Sequence, residues 1–208
     1  MQVVDSPWTG PSDDLEAPFI FVPFYALTYN SATPDELAGM AAAADFRQYP
    51  DPPLHLIAAD TSGKVIILEV GETGNMVLDL SASPSAVMTN FSNCAWAGAR
   101  PDSIRGAGAD RYRAALAEMA RLGGVDCPGD GMAVLRAAEN TSDGFPTRAS
   151  MVFDPERAKV YLAVAGDFDK VWCVDLGTGD LRPWSGSARG PLTTVDSAGV
   201  TASELQSF

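Results

Sequence analysis

The sequence predicts an α+β fold built on antiparallel sheet. Three observations carry that prediction. Strand-like segments come in contiguous runs joined by short turn signals, at 54–89 and again at 148–176. Helix-like segments form runs of their own, at 18–48 and 110–138, and do not alternate one for one with strands. Composition is that of an ordinary globular chain, 46% hydrophobic and 20% charged over 208 residues. That length fits one domain, or at most two small ones, and the whole chain is read as one.

Residues 1–16 read as an irregular lead-in, in which Met1 to Val4 fits a short strand and Asp5 to Glu16 is rich in Ser, Pro, Gly and acid. Pro18 to Tyr29 is apolar and aromatic, and its length favours a buried helix over a strand, with Pro23 weakening the first half. A better marked helix opens at Thr33-Pro34-Asp35-Glu36, with an N-cap hydroxyl, a proline at the first helical position and acids in the first turn. Leu37, Met40, Ala41 and Ala44 follow at helical spacing, and the helix should end near Asp45 to Gln48.

Leu54 to Ala59 is a strand, Asp60-Thr61-Ser62-Gly63 a turn, and Lys64 to Val70 the answering strand. Met76 to Leu80 continues the meander, and Ala86 to Thr89 reads as a further short strand. Residues 98–108 are loop. Tyr112, Ala115, Leu116 and Met119 recur at helical spacing within Asp110 to Leu122, which Gly123-Gly124 stops. Cys127 to Ala138 is a short helix. Arg148 to Phe153, Lys159 to Ala165 and Lys170 to Leu176 are three strands linked by turns, and Gly177 to Asp180 is another turn. The Ser/Gly/Thr-rich tail, 185–208, is expected to fray.

Several functions are excluded or disfavoured. Fourteen basic residues against 27 acidic ones leave a net charge of −13, which disfavours nucleic acid and anionic membrane surfaces. No apolar run approaches the ~20 residues of a membrane span. No signal peptide is visible, so the cytoplasm is the default compartment. Cys94, Cys127 and Cys173 are scattered and His55 is the one histidine, so a Cys/His zinc site is not expected. There is no P-loop, no GxGxxG and no GxSxG, and no cofactor is expected.

Few residues stand out chemically. His55 sits inside an apolar strand and reads as a half-buried histidine with a backbone partner. Cys94 has no adjacent base in sequence and reads as a small buried hydrophobe rather than a nucleophile. Asn90 follows a strand of small and apolar residues; it is either a turn-former or a primary amide able to donate to a developing oxyanion. Arg111 opens a helix against the dipole preference, as a surface charge or as part of a site.

The order of segments resembles the choloylglycine hydrolase family, which includes bile salt hydrolases and penicillin V acylases and is related to acid-ceramidase-like amidases. Pro53 to Glu69 resembles its P-L-H…D-x-x-G…(V/I)-x-E hairpin. Val87-Met88-Thr89-Asn90 resembles its V-L-T-N segment, and Asp110 to Ala115 its S-R-F-x-R-A helix start. Ala17 to Phe24 resembles its A-P-F-E-F-I-P-W helix, and Thr147 to Asp154 its late T-x-x-(S/T) hairpin. The resemblance runs in order over about residues 17–176.

It implies an N-terminal-nucleophile hydrolase fold, an αββα sandwich of antiparallel sheets, and hydrolysis of linear amide C–N bonds by an N-terminal cysteine. Asn90 would match the oxyanion-hole asparagine and Arg111 the arginine near the nucleophile. The family's cysteine lies upstream of the A-P-F helix, whereas positions 1 and 2 here are Met and Gln. The expectation is therefore a C-terminal portion of such an enzyme, incomplete at its N-terminus and inactive alone. The implied substrate is a small N-acyl amide. The alternatives are a non-catalytic acyl- or amide-binding module, or a subunit whose exposed sheet edges are covered by a partner chain or by self-association.

Overall fold

The hairpin predicted at 54–70 is the centre of the first of two antiparallel sheets. The structure is a computed structural model that describes residues 2–3, 29–42, 54–71, 74–142, 144–184, 193–195 and 199–207. Of the apolar segment Pro18 to Tyr29, read as a buried helix, only Tyr29 is described, helical and 77% exposed; 18–28 lie outside the described residues, as do 5–16 of the lead-in and the predicted end of the following helix. The chain divides into two compact units, residues 1–113 and 114–208.

In the first unit the strands β1 (Gln2–Val3), β2 (Leu54–Ala59), β3 (Val65–Gly71) and β4 (Gly74–Asp79) lie in sequence order, all antiparallel. The β2–β3 turn closes on Asp60, whose Oδ1 accepts from the Ser62 N–H at 2.9 Å and the Lys64 N–H at 3.3 Å, an Asx-type turn. Helix α1 (Pro34–Ala42) opens as its cap residues predict: Thr33 Oγ1 accepts from the Glu36 N–H at 3.2 Å, and Glu36 Oε2 accepts from the Ala32 N–H at 2.8 Å. Its Leu37 and Ala41 pack on Leu56, Ile66, Leu68 and Val70, which share one sheet face by the two-residue period of strands. Lys64 Nζ ties helix to hairpin, 3.1 Å from Asp35 Oδ1 and 2.8 Å from Asp79 Oδ2.

Residues 85–89 form no strand, contrary to the expectation for Ala86 to Thr89. The segment is anchored by a side chain instead of a ladder, Thr89 Oγ1 donating to the Gly108 carbonyl at 3.0 Å. Helix α2 (Ala109–Leu122) follows the loop, as predicted. Gly123 (φ +78) and Gly124 (φ +145) end it, with the Gly124 N–H on the Met119 carbonyl and the Gly123 N–H on the Ala120 carbonyl, a Schellman pattern.

In the second unit, helix α3 (Pro128–Ala137) is capped by Cys127 and followed by β5 (Ala149–Asp154), β6 (Lys159–Val164), β7 (Val171–Asp175), β8 (Asp180–Pro183) and β9 (Thr193–Thr194), again an antiparallel meander in sequence order. One cluster joins Met132 of α3 to Tyr161, Ala163, Phe168, Val171 and Cys173. The other sheet face carries Val164, Trp172 and Leu181, covered by Leu205 of α4 (Ala202–Ser207). Of the tail expected to fray, residues 185–192, 196–198 and 208 lie outside the described residues. In its described part Leu205, only 5% exposed, is buried in this cluster, and Val195 and Val200 pack against it. On β5, an outer strand of this sheet among the described residues, Met151 and Phe153 are exposed, Phe153 by 64%.

Candidate functional site

Asn90, the candidate oxyanion donor, and Arg111, the candidate arginine of the site, meet. Asn90 and Arg111 are 21 positions apart, yet Arg111 Nη2 donates to Asn90 Oδ1 at 2.5 Å. Both residues are half-buried. Asn90 sits at the end of the irregular 85–89 segment, and Arg111 lies in the first turn of α2. The dipole disfavours a cation there. Its partner explains the placement: Arg111 reaches back to Asn90 rather than out to solvent.

Gly108 permits this approach. It holds φ +76, and a Cβ there would lie 2.9 Å from Arg111 Nη2, 3.0 Å from the Asn90 backbone nitrogen and 3.1 Å from Thr89 Cβ. A side chain at this position would meet both a left-handed backbone and these three atoms. Below the pair, Phe91 is 2% exposed and meets the Tyr112 ring edge-on, with centroids 5.1 Å apart. Phe91 also packs with Ile104 and Ala109, joining the segment to the start of α2.

Directly after Asn90 the chain turns over a buried carboxylate. Glu69, on β3, is 1% exposed. Its Oε1 accepts from His55 Nδ1 at 2.9 Å, the Asn93 N–H at 2.8 Å and Asn93 Nδ2 at 3.0 Å. Its Oε2 accepts from Ser92 Oγ at 2.8 Å and the Cys94 N–H at 3.0 Å. Ser92 Oγ in turn accepts from the Ala95 N–H at 3.1 Å. Burial is the largest single influence on this carboxyl and pushes its pKa up. The hydrogen bonds from His55, Cys94 and Asn93 together outweigh burial and hold the pKa down to about 2. Glu69 is therefore an anion. Because an ionised carboxylate only accepts, His55 Nδ1 carries the proton in this contact. His55 Nε2 is buried with no hydrogen-bond partner among the described residues.

This cluster corrects the reading of His55, which is fully buried, not half-buried, and paired with a side chain, not the backbone. Sequence reasoning passed over Glu69, Ser92 and Asn93. The signal available was an acid inside the apolar run Val65 to Val70, where both faces of the strand are buried.

Cys94 has the character expected of it. Burial, then the negative charge of Glu69 and a hydrogen bond to it, push its thiol far above the ordinary range. A thiol that does not ionise is no nucleophile. Cys173 is buried and Cys127 exposed, and all three cysteines are free. Among the described residues no group of three or more His, Cys, Asp or Glu could hold a metal ion, and no helix is long and apolar enough to cross a membrane. A groove of about 290 Å³ between the start of α1 and β2 is lined by Thr33, Leu37, Leu56 and Asp60 among others, and includes neither Asn90 nor Arg111.

No protein-family profile matches the chain, and no curated protein matches it in sequence. Among solved structures it is similar to penicillin V acylase from Agrobacterium tumefaciens, with a TM-score of 0.59 at 19% identity, over 94% of this chain and 73% of that one. The chain therefore has a mixed α/β fold with antiparallel sheets that matches the N-terminal-nucleophile-hydrolase-like fold of that neighbour.

Proposed function

We propose that residues 54–113 carry the oxyanion side of a site that cleaves linear amide C–N bonds, with Asn90 as the donor and Arg111 as the residue that orients it. The observation that carries the reading is the Arg111–Asn90 contact. A carboxamide has one acceptor end and one donor end. With Oδ1 held on the guanidinium, the flip of the amide is set and Nδ2 is its donating end. Thiolate attack on an acyl carbonyl moves an electron pair onto the carbonyl oxygen, and an N–H aimed there stabilises the charge as it forms. Removing one such donor costs roughly 10²- to 10³-fold in turnover.

The likeness to penicillin V acylase, a protein named for its action on an N-acyl amide, supports the same reaction class. So does the ordered set of family-like segments around Asn90 and Arg111. The attacking thiol is not Cys94, whose environment keeps it protonated. On this reading the 208-residue chain binds an N-acyl amide but does not turn it over by itself.

The test uses penicillin V, a conjugated bile acid and an N-acyl amino acid as probes, with ligand-induced melting shifts and release of the free acid as readouts. We expect a melting shift with at least one probe, a loss of about ten-fold or more in affinity in Asn90→Leu, and no acid release. Equal affinity in wild type and Asn90→Leu, or no binding at all, overturns the oxyanion assignment. Turnover abolished by thiol alkylation overturns the inactivity.

A further inference from the structure

We propose that Glu69 is a positioning residue for Asn90, holding the turn that carries the oxyanion donor from beneath; the inference rests on the reading of Asn90 given above. The segment 89–95 has almost no ladder of its own, with Phe91 making a lone bridge. Its backbone donors still need acceptors where water is excluded. Glu69 supplies them. One carboxylate takes the Asn93 and Cys94 N–H groups, the Ser92 hydroxyl and the Asn93 amide, and Ser92 passes the connection on to Ala95. Three consecutive residues, starting two after Asn90, are thereby pinned to an inner strand of the sheet, and a fourth, Ala95, is held through Ser92.

Asn90 is held from the other side by α2, through Arg111 on its carboxamide and through the Phe91–Tyr112 ring contact next to it. Its position is the resultant of these two anchors. Burying a carboxylate is costly, and an apolar pair of similar volume often stabilises a core as well or better. A carboxylate here does what an apolar side chain cannot: it accepts from several donors of one loop at once, and so selects a single loop conformation. His55 completes the anchor. It lies directly opposite Glu69 on β2 and, among the described residues, supplies the hydrogen bond to the carboxylate that does not come from the loop.

The experiment compares wild type with Glu69→Gln in the full chain. Glutamine keeps one acceptor oxygen and replaces the other with an NH2 group that cannot accept from Ser92 Oγ or the Cys94 N–H. We expect the Cys94 amide to exchange about ten-fold faster or more, and the side-chain amide resonances of Asn90 and the guanidinium resonances of Arg111 to shift or broaden, while those of Arg113 stay put. Ser92→Ala, which removes one bond to Glu69 and leaves the charge paired, should move the same resonances in the same direction by less; it serves should Glu69→Gln not fold. A variant that melts earlier but leaves the Asn90 and Arg111 resonances unchanged shows a merely structural carboxylate and overturns the proposal. None of these readouts needs a substrate. If Asn90→Leu leaves probe binding intact while Glu69→Gln still moves Asn90, the oxyanion reading fails and the positional coupling stands.

Discussion

His55 and Glu69 face each other across the β2–β3 ladder, and the imidazole Nδ1 donates to the carboxylate at 2.9 Å with both side chains essentially out of solvent. Directly opposed residues on antiparallel strands have Cβ atoms about 5 Å apart, close enough for this contact without backbone adjustment. The pair is the foundation of the 92–95 turn, and its ionisation has consequences for stability.

Glu69 has a folded pKa of about 2 against an ordinary 4.5. A carboxyl whose pKa is depressed on folding contributes stability above its unfolded pKa, and loses that contribution as pH falls towards the folded value. The full contribution, about 3 kcal/mol, is thus present above roughly pH 5 and drains away between there and pH 2. Urea midpoints of wild type and Glu69→Gln, measured from pH 7 to 2, should be furthest apart at neutral pH and converge at the acid end. A constant gap across that range would contradict the ionised assignment.

Cys127 is exposed whereas Cys94 and Cys173 are buried. Titration of the native chain with a thiol reagent at pH 8 should label Cys127 quickly and the other two only on unfolding. Mass spectrometry of the labelled peptides checks this directly. Rapid labelling of Cys94 in the native state would mean that its thiol is neither buried nor held protonated beside Glu69.

Gly108→Ala places a methyl group against Arg111, Asn90 and Thr89 at a backbone angle of φ +76. The expected cost is about 1–3 kcal/mol from strain and overpacking. A change confined to the loop would lower the melting temperature alone. The geometry predicts in addition that the Asn90 and Arg111 side-chain resonances move, since both groups border the new methyl.

Leu205 lies against Val164, Trp172 and Leu181. Leu205→Ala should destabilise the second unit by about 2 kcal/mol or more and change the fluorescence of Trp172, which is otherwise 3% exposed. Unchanged stability and emission would show the tail to be the frayed segment that its composition implies.

Much of the architecture was legible because its signals act over one turn of chain. Thr33 and Pro34 mark the start of α1, Asp60 closes a turn on its own neighbours, and Gly123-Gly124 terminates α2. Alternation and caps need no distant partner to be read. Ala86 to Thr89 shows the limit of that logic. A short apolar run satisfies the strand pattern, but a strand exists only if a ladder partner lies alongside, and Thr89 bonds Gly108 instead.

For the candidate site, sequence by itself determined that Asn90 and Arg111 were residues of interest, through the segments around them, and that Cys94 lacked a base. Tertiary structure alone decided that Arg111 grips Asn90, that Glu69 anchors the turn behind it, and that Cys94 stays protonated there. The physical reason is chain closure. Glu69 finds His55 at a separation of 14 residues and its loop partners at 23 to 25. No local propensity encodes which donor a buried carboxylate will meet once the intervening chain has folded back on it.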